Sequence, residues 1–116
     1  DRRQPPYWAF EKGVYLEKYD YEMNVEATIK CDTAYYYSEQ KLWKLIGNVD
    51  IRNPKNERFY TDLMYWDQEE EKIYSDAYIK IEQEEQTTEG IGFSSNQNMT
   101  QWEIKNTKGI YTIKEE

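Results

Sequence analysis

Cys31-Asp32-Thr33-Ala34-Tyr35-Tyr36, a polar turn, and then Trp43-Lys44-Leu45-Ile46-Gly47-Asn48-Val49-Asp50-Ile51 form a pattern that the chain writes twice. The second copy is Thr61-Asp62-Leu63-Met64-Tyr65-Trp66, another polar turn, and Ile73-Tyr74-Ser75-Asp76-Ala77-Tyr78-Ile79-Lys80-Ile81. A shift of thirty residues lays Asp32 on Asp62, Tyr36 on Trp66, Trp43 on Ile73, Val49 on Ile79 and Ile51 on Ile81. A fixed period of that size marks stacked copies of one supersecondary unit. Within each copy apolar and polar residues alternate with period two, so the unit reads as a β-hairpin with one dry face.

Outward from this pair the same alternation continues. Met23, Val25, Ala27, Ile29 and Cys31 alternate with Asn24, Glu26, Thr28, Lys30 and Asp32, and the parity slips near Thr33-Ala34, as a bulge would make it do. Asn53-Pro54-Lys55-Asn56 is a turn signal. Between Phe59 and Trp66 apolar residues occupy both parities; on the simplest reading Phe59, Thr61, Leu63 and Tyr65 share one face. Gly13 to Glu17, Gly90 to Phe93, Trp102 with Ile104, and Ile110 to Ile113 are further strand candidates, with Glu82 to Glu89 as a polar connection. No stretch holds a 3.6-residue period over ten residues. The expected architecture is all-β: one domain over residues 13–116, preceded by a polar tether over residues 1–12 that contains Pro5-Pro6.

Composition agrees. Twelve tyrosines, four tryptophans and three phenylalanines favour strands. A chain of 116 residues buries roughly two-thirds of its unfolded surface on folding. The formal charge of −8 argues against nucleic acid, because no basic excess exists to displace counterions. The single cysteine, Cys31, rules out an internal disulfide framework and reads as a small buried thiol. The absence of histidine removes the commonest general base and metal ligand, and no phosphate loop or nucleophile elbow is present. The plentiful carboxylates fall in turns or on wet strand positions. The sequence implies no enzyme, no metal and no cofactor. The chain opens at Asp1 without an initiator methionine, which reads as a mature or truncated form whose anchor lies upstream.

In their order along the chain, Gly13-Val14-Tyr15-Leu16-Glu17, Val25-Glu26-Ala27-Thr28-Ile29, Ala34-Tyr35-Tyr36-Tyr37, Leu42-Trp43 and Gly47-Asn48-Val49 resemble the LptC family of lipopolysaccharide-export proteins in its Bacteroidetes form. The resemblance continues through Thr61 to Asp67, Lys72 to Asp76, Glu89 to Phe93 and Ser95 to Met99. It implies a twisted, open β-jellyroll of the LptA/OstA type, here built from repeated hairpins. It also implies a periplasmic protein anchored to the inner membrane. Such a protein takes lipopolysaccharide from the inner-membrane Lpt transporter and passes it to an LptA-like jellyroll.

The chemistry of that task suits the dry faces. Each buried methylene is worth about 0.8 kcal/mol, so an acyl chain of about a dozen costs on the order of 10 kcal/mol to carry bare through water. The expected lipid-binding lining is Val25, Ala27, Ile29, Trp43, Leu45, Val49, Ile51, Leu63, Ile73, Ile79, Ile81 and Phe93, with Gly47, Ser75 and Ala77 leaving room. The terminal strands, carrying Val14 and Leu16 at one end and Ile110 and Ile113 at the other, are the expected docking edges, since unpaired strand edges accept another sheet. Arg52, Lys55 and Arg58 surround one turn and read first as solvated charges of that turn, with contact to lipid phosphates as the alternative. Two other readings of the same residues stay open: a β-adaptor whose dry faces fill a core, and a glycan-binding module that displays aromatic platforms outside.

Overall fold

The computed structural model describes the backbone of residues 7–113 and the side chains of residues 7–106. These residues form nine strands in one antiparallel sheet: β1 (Trp8–Phe10), β2 (Val14–Tyr19), β3 (Val25–Cys31), β4 (Thr33–Tyr37), β5 (Leu42–Arg52), β6 (Arg58–Asp67), β7 (Lys72–Glu82), β8 (Gln86–Asn96) and β9 (Trp102–Ile113). β5 pairs with β4 through Leu42 to Ile46 and with β3 through Asp50 to Arg52, on the same side. β3 and β4 are therefore one strand bent at Asp32. β1 and β2 follow that bend as its outer neighbour, pairing with β4 and β3 respectively. The sheet is a meander of bent strands, each joined to the next by a hairpin.

The bends line up across the sheet. Pairing of β5 with β6 shifts between Ile46 and Val49, of β6 with β7 between Thr61 and Tyr65, and of β7 with β8 between Ser75 and Tyr78. Such bulges kink a strand and increase its twist. A row of them folds the sheet into two facing layers that share every long strand. One layer carries the transverse row Trp8, Tyr36, Trp43, Trp66, Ile73, Ser95 and Trp102, each directly opposite the next. The other carries Leu16, Ile29, Ile51, Phe59, Ile81 and Thr88 in the same manner. The first is here termed the aromatic layer and the second the aliphatic layer. Phe59 of the aliphatic layer meets Phe93 at 5.6 Å and Trp102 at 5.9 Å between ring centroids, so the layers pack face to face.

Breaking the ladder at the bends frees backbone groups that must be satisfied. Buried hydroxyls do this. Ser75 Oγ donates to the Leu63 carbonyl at 2.6 Å and accepts from the Ala77 amide at 3.0 Å, and Thr61 Oγ1 donates to the Tyr78 carbonyl at 2.6 Å. At the other bend Asp32 N donates to the Gly47 carbonyl, while Asn48 Nδ2 donates to Asp32 Oδ2 at 2.8 Å. Four hairpins are closed by one recurring device, in which an Asp or Asn oxygen accepts backbone amides further along the turn; Asp67 takes Glu69 and Glu70 in this way. Asp20 takes Glu22 and Asn24, Asn53 takes Lys55 and Glu57, and Asn96 takes Thr100 and Gln101.

Three expectations need correction. Trp8–Phe10, within the stretch read as a tether, form β1, because alternate aromatic residues there extend the inner face. Gln86 to Glu89, read as connection, belong to β8, where buried Thr88 stands opposite Ile81. The parity of β6 changes midway. Phe59, Thr61, Met64 and Trp66 are its buried positions, because the bulge after Thr61 advances the chain by one residue.

Candidate functional site: the inner face of the folded sheet

The strongest candidate is the inner face itself. Its period-two side chains come from every long strand, and cross-strand pairing sets them in continuous transverse rows. Of the expected lining residues, Ala27, Ile29, Leu45, Val49, Ile51, Ile73, Ile79, Ile81 and Phe93 are buried together between the layers. Trp43 is half-buried against the same cluster. Val25 stands at the rim, 45% exposed. Leu63 is not on the inner row. It is half-buried beside the bulge, opposite Ile46, and Met64 takes the inward place.

Several inner-face residues escaped the sequence reading: Phe59, Met64, Trp66 and Met99, all buried, and Trp8, Phe10 and Tyr36 toward the edge. The thirty-residue shift held the signal for one of them. It aligns Trp66 with Tyr36, and the two stand in one row, separated only by Trp43.

The inner face is closed over its middle and open at one side. Leu45, Ile51, Phe59, Met64, Ile79, Ile81 and Phe93 have no exposed surface and fill the space between the layers. Along the aromatic row burial falls steadily toward β1: Trp66 is buried, Trp43 and Tyr36 are half-buried, and Trp8 is 63% exposed. Trp43 lies parallel to Trp66 at 6.5 Å and tilted against Tyr36 at 4.8 Å and Phe10 at 5.7 Å. Offset aromatic packing of this kind is favourable while leaving ring faces available at the rim. A recess of about 500 Å³ borders the tip of the aliphatic layer, lined in part by Val25, Ala27, Lys30, Arg52 and Asn53.

Electrostatics confine charge to the outer face. Lys30, Asp50, Tyr60, Lys80 and Glu89 form one outer row. Arg58, one of three cations around the turn at Asn53, is engaged: it donates to Asp50 at 3.0 Å and lies over the Tyr60 ring. Arg52 and Lys55 are exposed. The Tyr78 hydroxyl donates to Glu89 at 2.7 Å, which pushes its pKa up to about 12. Burial pushes the Cys31 thiol up as well, holding it in the unreactive protonated form. Tyr65 and Tyr74, a cross-strand pair on the outer face, stack on each other at 5.3 Å.

The expected docking edges divide in two. β2 bonds to β3, and β9 to β8, and no second neighbour exists for either among the described residues, so both are sheet edges. Val14 and Leu16 on β2 are half-buried and packed against the core. Ile110 and Ile113 lie on β9, with side chains outside the described residues.

A sequence-family profile described as "Lipopolysaccharide-assembly, LptC-related" matches residues 8–112, from the start of β1 almost to the end of β9. No curated protein matches the chain at a significant level.

Proposed function

The chain belongs to the LptC-related lipopolysaccharide-assembly family, a component of lipopolysaccharide transport, and on that premise we propose that it is a non-enzymatic carrier of the lipid's acyl chains. In this reading the inner face receives the chains and the charged outer face stays in water. The protein works in the periplasm, tied to the inner membrane. It bridges the Lpt transporter there to an LptA-like protein by pairing through the free edges of β2 and β9.

The observation that carries the proposal is the aromatic row. Apolar side chains run without interruption from buried Trp66 through Trp43 and Tyr36 to exposed Trp8, across a sheet that does not close. A row that merely filled a core would not continue to a wet rim. An acyl chain laid along it would cover the exposed rings and gain about 0.8 kcal/mol for each methylene withdrawn from water.

The filled interior favours a second reading, an adaptor whose inner face serves only as a core. Photo-crosslinking separates the two. Tyr36 faces inward and its neighbour Tyr35 outward, and a photoreactive phenylalanine analogue fits either position with little change in volume. The carrier gives a lipopolysaccharide adduct from position 36 and none from position 35. Absence of an adduct at 36 in a folded variant sinks the carrier reading in favour of the adaptor. An adduct at 35 alone puts the lipid on the wrong face for the proposal.

A further inference from the structure

Five hairpin turns contain a residue with left-handed backbone: Met23, Lys41, Asn56, Glu71 and Met99, with φ between 53° and 68°. Four of them project into solvent, Met23 with 72% of its surface exposed. Met99 alone is fully buried, at 0% exposure, and belongs to the central core. A turn that drives its side chain inward where its counterparts point outward is filling a gap, and the neighbouring contacts identify which gap. Asn53, in the β5–β6 turn at the tip of the aliphatic layer, donates from Nδ2 to the Met99 carbonyl at 2.7 Å. That bond joins the tips of the two layers.

The rest of the 97–101 turn is held by itself and by its own layer. Asn96 caps it through Thr100 and Gln101, and Gln97 Oε1 accepts from Trp66 Nε1 at 3.2 Å. These bonds tie the turn to its own layer, and the Asn53 bond ties it to the tip of the other. The recess that includes Val25 and Ala27 also includes Asn53, with Glu26, Lys30 and Arg52 as its charged groups. Apolar surface bordered by polar and charged groups suits an acyl chain whose headgroup stays in water.

We propose that the seam between Asn53 and Met99 is the slot by which an acyl chain enters the inner face, and that Met99 is a resident plug whose unbranched side chain occupies the place the chain takes. The proposal rests on the carrier reading and adds to it a route and a latch. Methionine suits the role, being flexible and apolar enough to fill an irregular gap and to leave it. The filled interior then represents the unloaded state, with the plug in place.

Asn53→Asp tests the latch. It keeps the oxygen that caps the turn through Lys55 and Glu57, removes the amide that donates to the Met99 carbonyl and to Glu57 Oε1, and sets a carboxylate against both. Asn56→Asp places the same charge in the same turn and serves as control. Amide hydrogen exchange is measured first, without lipid. Loss of a charge-free hydrogen bond replaced by repulsion speeds exchange in residues 97–101 by about tenfold in Asn53→Asp, while Asn56→Asp matches the parent protein. Uptake of cis-parinaric acid, a fluorescent acyl chain, is then followed in all three, and its rate rises in Asn53→Asp and in Met99→Ala.

Unchanged exchange in Asn53→Asp overturns the latch. Faster exchange with unchanged uptake overturns the slot. If the position-36 adduct with lipopolysaccharide forms while either of these negative results holds, the carrier reading stands and the route alone fails. If neither the adduct nor the fluorescent chain is taken up by any variant, the carrier reading and the slot fail together.

Discussion

At Gly47 the chain turns with φ +85°, and a Cβ built there would lie 2.8 Å from Asp32 Oδ2 and 3.1 Å from Asp32 Cβ. Backbone conformation and space both demand glycine at the point where β5 crosses the bend of β3 and β4. Gly47→Ala is expected to destabilise the protein by about 1–3 kcal/mol, read as a lower urea midpoint at unchanged slope. Adding Asp32→Ala removes the 2.8 Å contact with the carboxylate and leaves the 3.1 Å contact with Cβ and the strained φ, so the double variant recovers part of the loss and not all of it. Full additivity of the two would show that the residues do not meet. Glycine here is legible in sequence as a strand interruption. That Asp32 is its partner is not, because fifteen residues and a hairpin separate them.

The element scale is governed by the bends. Each long strand has two runs of clean alternation joined by a slip, and the slip is what lets one sheet become two layers. Ser75 sits there at 0% exposure with both a donor and an acceptor role. Ser75→Ala leaves the Leu63 carbonyl and the Ala77 amide without that hydroxyl, a cost of about 1–3 kcal/mol for buried groups. Ser94→Ala, on the outer row, is expected to stay within about 0.5 kcal/mol. Equal effects in urea unfolding would mean that the hydroxyl does not hold the bend. The slip near Thr33-Ala34 was visible in the sequence because polar Asp32 and Thr33 flank it. The slip in β6 was not, because Leu63 and Met64 are both apolar, and hydrophobicity cannot choose which of two greasy neighbours turns inward. Alternation alone points Leu63 inward, and the structure gives that place to Met64.

For the whole molecule, the decisive contacts are those between layers. Phe59 touches Phe93 and Trp102 from the facing layer and is fully buried. Phe59→Ala should cost about 3–5 kcal/mol, the range for emptying a buried aromatic site. Tyr65→Ala, which removes one ring of an outer cross-strand pair, should cost about 1 kcal/mol or less. Comparable losses from the two would mean that the stability resides within the sheet and not between its layers. The same asymmetry matters for carriage of lipid. Strands are held to their neighbours by ladders of hydrogen bonds on both sides of each bend, whereas among the described residues the tips of the layers are joined across the seam by one hydrogen bond, Asn53 to Met99, and by side-chain packing. Layers can part at the tips without any strand leaving the sheet.

The sequence by itself determined most of the strands, the hairpin repeat, the dry and wet faces outside β6 and the family, because alternation with period two and turn chemistry are local and survive without the fold. It also marked most of the inner face, including Ile29, Leu45, Val49, Ile51, Ile73, Ile79 and Ile81. Only the tertiary structure decided that the sheet doubles back on itself, that Met99 reaches from a turn into the core, and that the aromatic row ends in an exposed rim at Trp8. Those features depend on contacts between residues far apart in the chain, such as Asn53 with Met99 and Phe59 with Phe93. Such contacts are fixed by how accumulated bends and twist bring one layer over the other, and no local periodicity encodes that sum.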